Sequence, residues 1–212
     1  MQTIPPMLIH RCLPGVLSLQ SVLVVAGGVA QLRVLSFLST VEIFKPDVSQ
    51  WYKTSPLPTA CYSISTVAIG DTCYALGGYK HPLHLSQVLC TSVVDLLCNA
   101  VPADQTTHSS SSDTQSAWKT LPNTLTYRPA AAVLAGNLLA IGGFERYEGG
   151  ALMKKVYMYS PSIHSWIYIS DLPTPQAMTA VATVSSTEIL VIGGWDGGRV
   201  NTVYKATLHL KL

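Results

Sequence analysis

Short apolar runs that end in two glycines recur four times along the chain. Each run has five residues suited to a buried strand, and the glycines that follow break strands. The pairs are Gly27 and Gly28, Gly77 and Gly78, Gly142 and Gly143, and Gly193 and Gly194. The second glycines are 50, 65 and 51 residues apart. A recurring interval of this size is typical of a repeat protein.

A second apolar segment precedes each of these runs, with a two- or three-residue turn between them. The segments cover 13–19, 63–69, 130–135 and 180–184. Two of the turns contain Gly-Asp or Gly-Asn, residues that tolerate the positive φ of tight hairpin turns. The pattern therefore predicts that each glycine pair ends a β-hairpin.

A third alternating strand follows each pair after a loop of variable length, and we predict these strands over 40–44, 91–97, 155–159 and 202–208. After three of them come a tryptophan and then Leu-Pro; the tryptophans are Trp51, Trp118 and Trp166. The unit is four antiparallel strands, A to D, with the glycine pair ending strand B and the tryptophan in strand D. Because one such sheet cannot bury both faces alone, the units must pack face to face, as in a β-propeller. We expect each tryptophan to fill the wedge between blades, with its indole N–H at the wet edge.

These residues resemble the Kelch repeat, in which an apolar strand, Gly-Gly, an aromatic residue, a further strand, a spaced tryptophan and Leu-Pro follow in order. The stretch from Trp195 to Gly198 is also similar to the aromatic-Asp-Gly sequence that commonly follows the family's glycine pair. The family's arginine near the start of strand A is present at Arg128 and, less clearly, at Arg11. The resemblance implies an all-β fold, a Kelch-type β-propeller of four-stranded antiparallel blades.

We expect one propeller region over 1–212, with blades at about 7–55, 60–120, 128–169 and 177–210. The first three blades have all four strands and the fourth has three, which indicates an incomplete propeller that a further chain segment or a partner completes. Trp118 lies 40 residues after Gly78, whereas Trp51 and Trp166 lie 23 residues after their pairs. The excess falls on a predicted flexible insertion at 99–116, which holds four consecutive serines.

Charge and cysteine content indicate which partners and which cellular location the sequence favours. A formal net charge of +2, with 11% charged residues, does not favour nucleic acid or an acidic membrane surface as partner. No apolar run has the roughly 18 residues of a membrane helix. The five cysteines lack metal-ligand spacing and indicate reduced thiols, so we expect a cytoplasmic protein. The apolar run at 13–30 also fits a signal peptide, although it matches the repeat as well.

No catalytic, cofactor or metal site is predicted. His81 and His84 have metal-like spacing, but we expect them in a solvated loop without a carboxylate or cysteine nearby. The carboxylates of Glu145, Glu148 and Asp196 follow glycine pairs and could meet on one face for acid–base chemistry. The alternative function is therefore an enzyme on the Kelch fold, such as a sugar-modifying or metal-dependent lyase or oxidase.

The candidate binding residues lie in the B–C and D–A loops, which emerge on the same face of a propeller. Tyrosine, tryptophan and arginine dominate binding hot spots, and the predicted protein-binding residues are Arg128, Arg146, Arg199, Tyr62, Tyr127 and Tyr147. The aromatic residues directly after the glycine pairs (Tyr79, Phe144 and Trp195) are expected to be structural. We predict a non-catalytic module that binds a protein or peptide on this face. The resemblance implies a substrate-recognition part of a cullin ubiquitin ligase or an actin-associated scaffold.

Overall fold

A computed structural model of the protein describes residues 3–31, 36–102, 116–147 and 149–207. The first blade is formed by the N-terminal part of the chain. Its strands and the hairpin between them are β1 (Gly15–Leu19), β2 (Val22–Ala26), β3 (Val29–Gln31), β4 (Ser36–Phe37), β5 (Val41–Lys45) and β6 (Gln50–Thr54). The sheet has the order β1-β2-β5-β6, and β3 pairs with β4 in a separate hairpin. The pairing is antiparallel throughout, as alternation and short turns predict.

The second blade contains a short helix and two extra strands. Its elements are β7 (Tyr62–Ile69), β8 (Thr72–Lys80), β9 (Leu83–His84), β10 (Val88–Ser92), α1 (Val93–Cys98), β11 (Val101–Pro102) and β12 (Lys119–Leu121). The sheet has the order β7-β8-β10-β12, and β9 pairs with the end of β8. Strand β11 instead pairs with β6, so the connection crosses back to the first blade.

The third and fourth blades repeat the same order of strands. Their elements are β13 (Ala130–Leu134), β14 (Asn137–Ile141), β15 (Phe144–Arg146), β16 (Gly149–Leu152), β17 (Lys155–Ser160), β18 (Ser165–Asp171), β19 (Ala180–Ser185), β20 (Glu188–Trp195) and β21 (Arg199–Thr207). The third sheet is β13-β14-β17-β18 and the fourth is β19-β20-β21, with β15 and β16 in a separate hairpin. The predicted all-β fold, with three four-stranded blades and a three-stranded fourth, is confirmed for the described part of the chain, except that β11 adds a fifth strand to the first sheet.

The third strand predicted for the second blade over 91–97 was wrong. Strand β10 ends at Ser92, whose hydroxyl accepts a hydrogen bond from the Asp95 backbone N–H at 3.0 Å and caps α1. Val93 and Leu96, three residues apart, are both buried, which is helical rather than strand spacing. Within the predicted insertion at 99–116, residues 101 and 102 form β11, and residues 103–115 lie outside the described residues.

The three repeat tryptophans are buried, Trp118 and Trp166 between successive blades and Trp51 against the N-terminal segment. Trp51 and Trp118 are 5% exposed and Trp166 is 7% exposed. Each indole N–H donates to a backbone carbonyl in the segment that precedes its own blade, with acceptors at Pro5 (2.9 Å), Ser55 (3.1 Å) and Pro122 (2.9 Å). The expectation that the N–H groups lie at a wet edge was therefore wrong, because the preceding segment covers them.

The glycine pairs let strand B pass close to two neighbouring backbones. All eight glycines have positive φ, near 60° for the first of each pair and near 100° for the second. A Cβ on Gly27 would lie 2.5 Å from the carbonyl oxygen of Cys61 in the next blade. A Cβ on Gly143 would lie 2.5 Å from the carbonyl oxygen of Tyr127, which leads into its own blade. The pairs are thus structural positions, as the sequence predicts.

Apolar side chains fill the spaces between successive blades. One cluster lies between the first and second sheets, a second between the second and third, and a third between the third and fourth. The outer face of the first blade packs against Met7 and Leu8 of the N-terminal segment. The buried Arg11–Glu42 ion pair holds this segment, because Glu42 also accepts the backbone N–H groups of Leu8 and Ile9.

Replacing Trp118 by Phe should lower the free energy of unfolding by about 1–3 kcal/mol, because the Ser55 carbonyl loses its donor in a buried site. Urea denaturation monitored by circular dichroism measures the change. Trp195→Phe is the matched control, since Trp195 is 38% exposed, and it should change stability by less than about 0.5 kcal/mol. Equal effects in the two variants would contradict the proposed role of the indole hydrogen bond.

The buried thiols of Cys61 and Cys73 should resist alkylation in the folded protein. Burial raises the pKa of Cys61 to about 12 and that of Cys73 to about 11. At pH 8 about one thiol in a thousand is ionised at a pKa of 11, and the thiolate is the reactive form. Iodoacetamide labelling followed by peptide mass spectrometry should modify exposed Cys98 first and the buried pair only after unfolding. Rapid labelling of Cys61 under native conditions would contradict this expectation.

Candidate protein-binding face

Four equivalent residues before or at the start of strand A surround a central cavity. Leu13, Ser63, Arg128 and Met178 all have left-handed backbone, with φ of 53°, 54°, 51° and 57°. This conformation costs a residue with a side chain about 1–2 kcal/mol. Its recurrence in every blade shows that the repeat backbone imposes it. The four residues line a cavity of about 180 Å³, and the innermost strands β1, β7, β13 and β19 contact one another in sequence around it.

Arg128 is the charged side chain in the lining of this cavity. Its Nη2 donates to the Ser63 hydroxyl at 2.8 Å, and its guanidinium carbon lies 5.6 Å from the centroid of the Tyr79 ring. The Arg128 Nε is buried and has no hydrogen-bond partner among the described residues. Burial lowers the pKa of Arg128, yet an arginine keeps its charge at neutral pH. The result is a partly buried cation at the centre of the predicted binding face.

A row of ring side chains crosses the same face from the first blade to the third. We define the aromatic row as Phe37, Tyr62, Tyr79, His84 and Phe144. Successive ring centroids are separated by 5.4, 5.3, 4.9 and 4.3 Å. The first three separations are within the range of about 4.5–7 Å for stacked and edge-to-face contacts, and the His84–Phe144 separation is slightly shorter. The structure thus brings predicted Tyr62 next to Tyr79 and Arg128. Tyr79 is opposite Tyr62 in the β7–β8 pairing, so the register of this hairpin brings the two rings together.

The solvated loop predicted for His81 and His84 was wrong for His84. Strand β9 folds back on β8, which places His84 opposite Tyr79 and half-buries its imidazole. Its Nδ1 is buried and unpartnered within the described part of the chain. Burial, and secondly the charge of Arg128, lower the pKa of His84. The Nδ1 atom of His81 lies 3.2 Å from the hydroxyl oxygen of Tyr79.

The other predicted binding residues lie around this centre. The rings of Tyr127 and Tyr147 have centroids 6.4 Å apart. The Arg146 side chain is 74% exposed, and its Nε is 3.8 Å from the carboxylate of Glu145. Arg199 is exposed at the start of β21, opposite Trp195 in the β20–β21 pairing. The structure therefore places Tyr62 and Arg128 together with Tyr79 and His84, two residues that the sequence analysis did not include among the predicted binding residues.

Two of the carboxylates considered for acid–base chemistry, those of Glu145 and Asp196, interact with different partners. Glu145 lies beside Arg146, and the Asp196 carboxylate accepts the Gly198 backbone N–H at 3.2 Å. Glu148 lies outside the described residues. Across the described ranges, no three His, Cys, Asp or Glu side chains are grouped so that they could hold a metal ion. Of the helices in those ranges, none has the length and apolar character needed to cross a bilayer.

His84 should titrate below its usual pKa of about 6.5, and Arg128→Gln should raise its midpoint only part of the way, because burial remains. Unfolded His84 binds its proton more tightly than folded His84 does. The stability that depends on neutral His84 is therefore fully present above about pH 6.5 and is lost as the pH falls from there through the folded pKa. NMR titration of the imidazole resonances measures the midpoint. Arg146→Gln is the control and should leave it unchanged; an identical shift in both variants would contradict the contact with Arg128.

Comparison with known proteins agrees with this architecture. A family model described as the Kelch motif matches residues 10–58 and 125–173. The chain is 26% identical over 141 residues to human Kelch-like protein 23, covering 66% of the chain and 22% of that protein. It is 26% identical over 199 residues to Kelch-like protein 25 of Xenopus tropicalis, covering 91% of the chain and 30% of that protein. The chain thus spans less than a third of these relatives.

The solved structure of YjhT superposes with a TM-score of 0.70 at 15% sequence identity, covering 92% of this chain and 66% of YjhT. At that identity the match concerns the fold alone. The matched motif segments contain the first and third glycine pairs with Trp51 and Trp166, whose indoles bind the segments that precede their blades. The four repeated sheets, the matched motif and the shared fold together show that this chain carries Kelch motif repeats on a β-propeller fold.

Proposed function

We propose that the chain is a non-catalytic interaction module that binds a protein or peptide on the face formed by its B–C and D–A loops. The observation that carries the proposal is the position of Arg128, beside Tyr62 and Tyr79 at the central cavity. Arginine and tyrosine supply most of the energy at binding hot spots, especially at the centre of an interface.

The surroundings of Arg128 support this proposal. The aromatic row offers rigid ring surface, which loses little conformational entropy when a ligand covers it. Arg146 and Arg199 are exposed at the rim and remain accessible to a partner. A central cation, adjacent rings and peripheral charges form the usual arrangement of a protein interface, with a desolvated centre and a polar rim.

The wider role we propose is that of a substrate-recognition part of a cullin ubiquitin ligase, with an actin-associated scaffold as the alternative of the same class. Its support is the similarity to Kelch-like proteins, of which the chain covers less than a third. Five free cysteines support a reducing, cytoplasmic location.

We also propose that a further chain segment or a partner supplies the outer strand of the fourth blade. Among the described strands, β21 pairs with β20 alone, so its outer edge is open. A cavity of about 460 Å³ lies between the third and fourth blades and is lined by Leu172, Pro173 and Lys205. Leu172 and Pro173 correspond to Leu121 and Pro122, and Pro122 accepts the indole N–H of Trp166 in the preceding interface.

Simultaneous replacement of Arg128, Arg146 and Arg199 by Ala should abolish capture of binding partners from a cell lysate, because all three cations lie on the proposed face. Quantitative mass spectrometry of proteins retained on the immobilised chain measures recovery against the unmodified protein. Loss of two or three hot-spot side chains typically lowers affinity by more than about a hundredfold.

The matched control replaces Lys45, Lys119 and Lys205 by Ala, which removes the same charge from the opposite ends of the strands. Partner recovery should persist in this control. Equal recovery with both triple variants, each folded by circular dichroism, would overturn the assignment of the binding face.

A further inference from the structure

A cavity of about 460 Å³ occupies, beside the fourth blade, the place that a tryptophan takes beside the third. Trp166 packs between the third blade and the second, and its N–H donates at 2.9 Å to the Pro122 carbonyl of the segment that joins them. The segment that joins the fourth blade to the third carries Leu172 and Pro173, and both line the cavity. Among the described residues, the apolar cluster between these two blades contains no tryptophan.

The strand register identifies which residue faces a tryptophan in the complete blades. Phe44 is opposite Trp51 in the first blade, and Tyr159 is opposite Trp166 in the third. The ring centroids of these two pairs are 5.1 and 5.5 Å apart. Each tryptophan thus packs on the side chain directly across from it on the third strand of its own blade.

Ala206 is the equivalent third-strand position in the fourth blade. Phe44 is opposite Leu23, which lies five residues before the second glycine of the first pair. Ala206 is opposite Ile189, which lies five residues before the second glycine of the fourth pair. Ala206 lines the cavity and is exposed, whereas Phe44 is buried. The fourth blade therefore has a methyl group and open space where the first has a covered ring.

The outer edge of β21 is open beside this cavity. The third strands of the first three blades, β5, β10 and β17, each pair with a fourth strand. Strand β21 pairs with β20 alone among the described strands. An open edge presents N–H and C=O groups to which an extended segment can add as a further strand.

The chain's own tryptophans are all placed elsewhere. The 212 residues contain four of them. Trp51, Trp118 and Trp166 are buried in the first three blades, and Trp195 ends β20, where it forms a bridge with Ala177. An indole in the cavity beside the fourth blade must therefore come from outside these 212 residues.

We propose that β21 binds an extended segment of a partner chain by antiparallel pairing, with one tryptophan of that segment inserted into the cavity opposite Ala206. This inference rests on the proposed outer strand of the fourth blade and specifies its source and its central side chain. The indole covers the apolar side chains of Ile189 and Leu172, which line the cavity. Its N–H donates to the Pro173 carbonyl, as that of Trp166 does to Pro122.

The test uses the 212-residue chain and an acetylated, amidated peptide with the sequence of residues 48–54, which holds Trp51 in its natural strand. Isothermal titration calorimetry measures affinity, and amide hydrogen exchange of β21 measures strand pairing. The peptide should protect β21 and bind at least about tenfold more tightly than its Trp51→Ala form, because tryptophan is a leading hot-spot residue. Equal affinity of the two peptides would overturn the inference.

A third peptide tests the hydrogen bond to the Pro173 carbonyl. Its tryptophan is replaced by 3-benzothienylalanine, which keeps the shape of the bicyclic ring and removes the N–H. Binding should weaken about two- to tenfold relative to the tryptophan peptide, which is the usual effect of losing one hydrogen bond. Undiminished binding would overturn the assignment of Pro173 as acceptor.

Protein variants test the position of the indole. Ala206→Phe should tighten binding of the tryptophan peptide about two- to tenfold, because it restores the ring contact that the first and third blades have. Val203→Phe is the matched control. It adds the same ring on the opposite face of β21, where Val203 is 56% exposed, and should leave affinity unchanged. The same affinity change in both variants would contradict insertion opposite Ala206.

Hydrogen exchange distinguishes failure of this inference from failure of the proposed outer strand. If the Trp51→Ala peptide protects β21 as well as the parent peptide does, the edge accepts a strand and the tryptophan site is wrong. If neither peptide protects β21, both proposals are wrong. A concentration-dependent dimer in sedimentation velocity that the peptide does not dissociate would show that a second copy covers the edge, which also overturns the inference.

Discussion

The structure depends on the contact between each repeat tryptophan and the segment that precedes its blade. A four-stranded sheet with two apolar faces gains stability only when neighbours cover both of them. The indoles of Trp118 and Trp166 fill the space between two sheets, and that of Trp51 packs against the N-terminal segment. Each indole N–H donates to a carbonyl that would otherwise lack this donor. Trp51 makes this contact with Pro5, so the N-terminal segment does for the first blade what inter-blade segments do for the next two. In each of the three repeats with a tryptophan, one hydrogen bond therefore ties the buried indole to the segment that precedes its blade.

The glycine pairs allow backbones of neighbouring segments to pass close together near the propeller axis. In the first three pairs the first glycine allows approach to the next blade, and in all four pairs the second allows approach to the entry of its own blade. This approach holds the residue at the start of strand A in left-handed backbone at Leu13, Ser63, Arg128 and Met178. The repeat thus presents one side chain per blade at the central cavity, and the identity of that side chain is free to vary. Only the third blade places a charge there, which makes Arg128 the distinctive residue of the face.

Arg11 and Arg128 have similar positions in the repeat but different surroundings in the structure. Both are near the start of a strand A, and the sequence alone treats both as versions of the family's arginine. Arg11 is fully buried, donates to the carbonyls of Gly27 and Thr40, and is neutralised by Glu42. Arg128 has a hydroxyl and ring faces for neighbours, and its Nε has no hydrogen-bond partner among the described residues. The buried Arg11–Glu42 pair therefore stabilises the fold, whereas Arg128 lies at the central cavity without such a partner among the described residues.

Much of the fold could be predicted from the sequence, because strand alternation, glycine pairs and spaced tryptophans are local patterns with a fixed period. They determined the blades, the three-stranded fourth sheet and the face that carries Tyr62 and Arg128. The helix at Val93–Cys98 escaped prediction, because a six-residue apolar segment fits a strand or a helix until its cap is known. The aromatic row, the burial of His84 and the lack of an ion-pair partner for Arg128 within the described ranges were decided by tertiary structure alone. They depend on which side chains from different blades meet at the axis, and no local pattern carries that information.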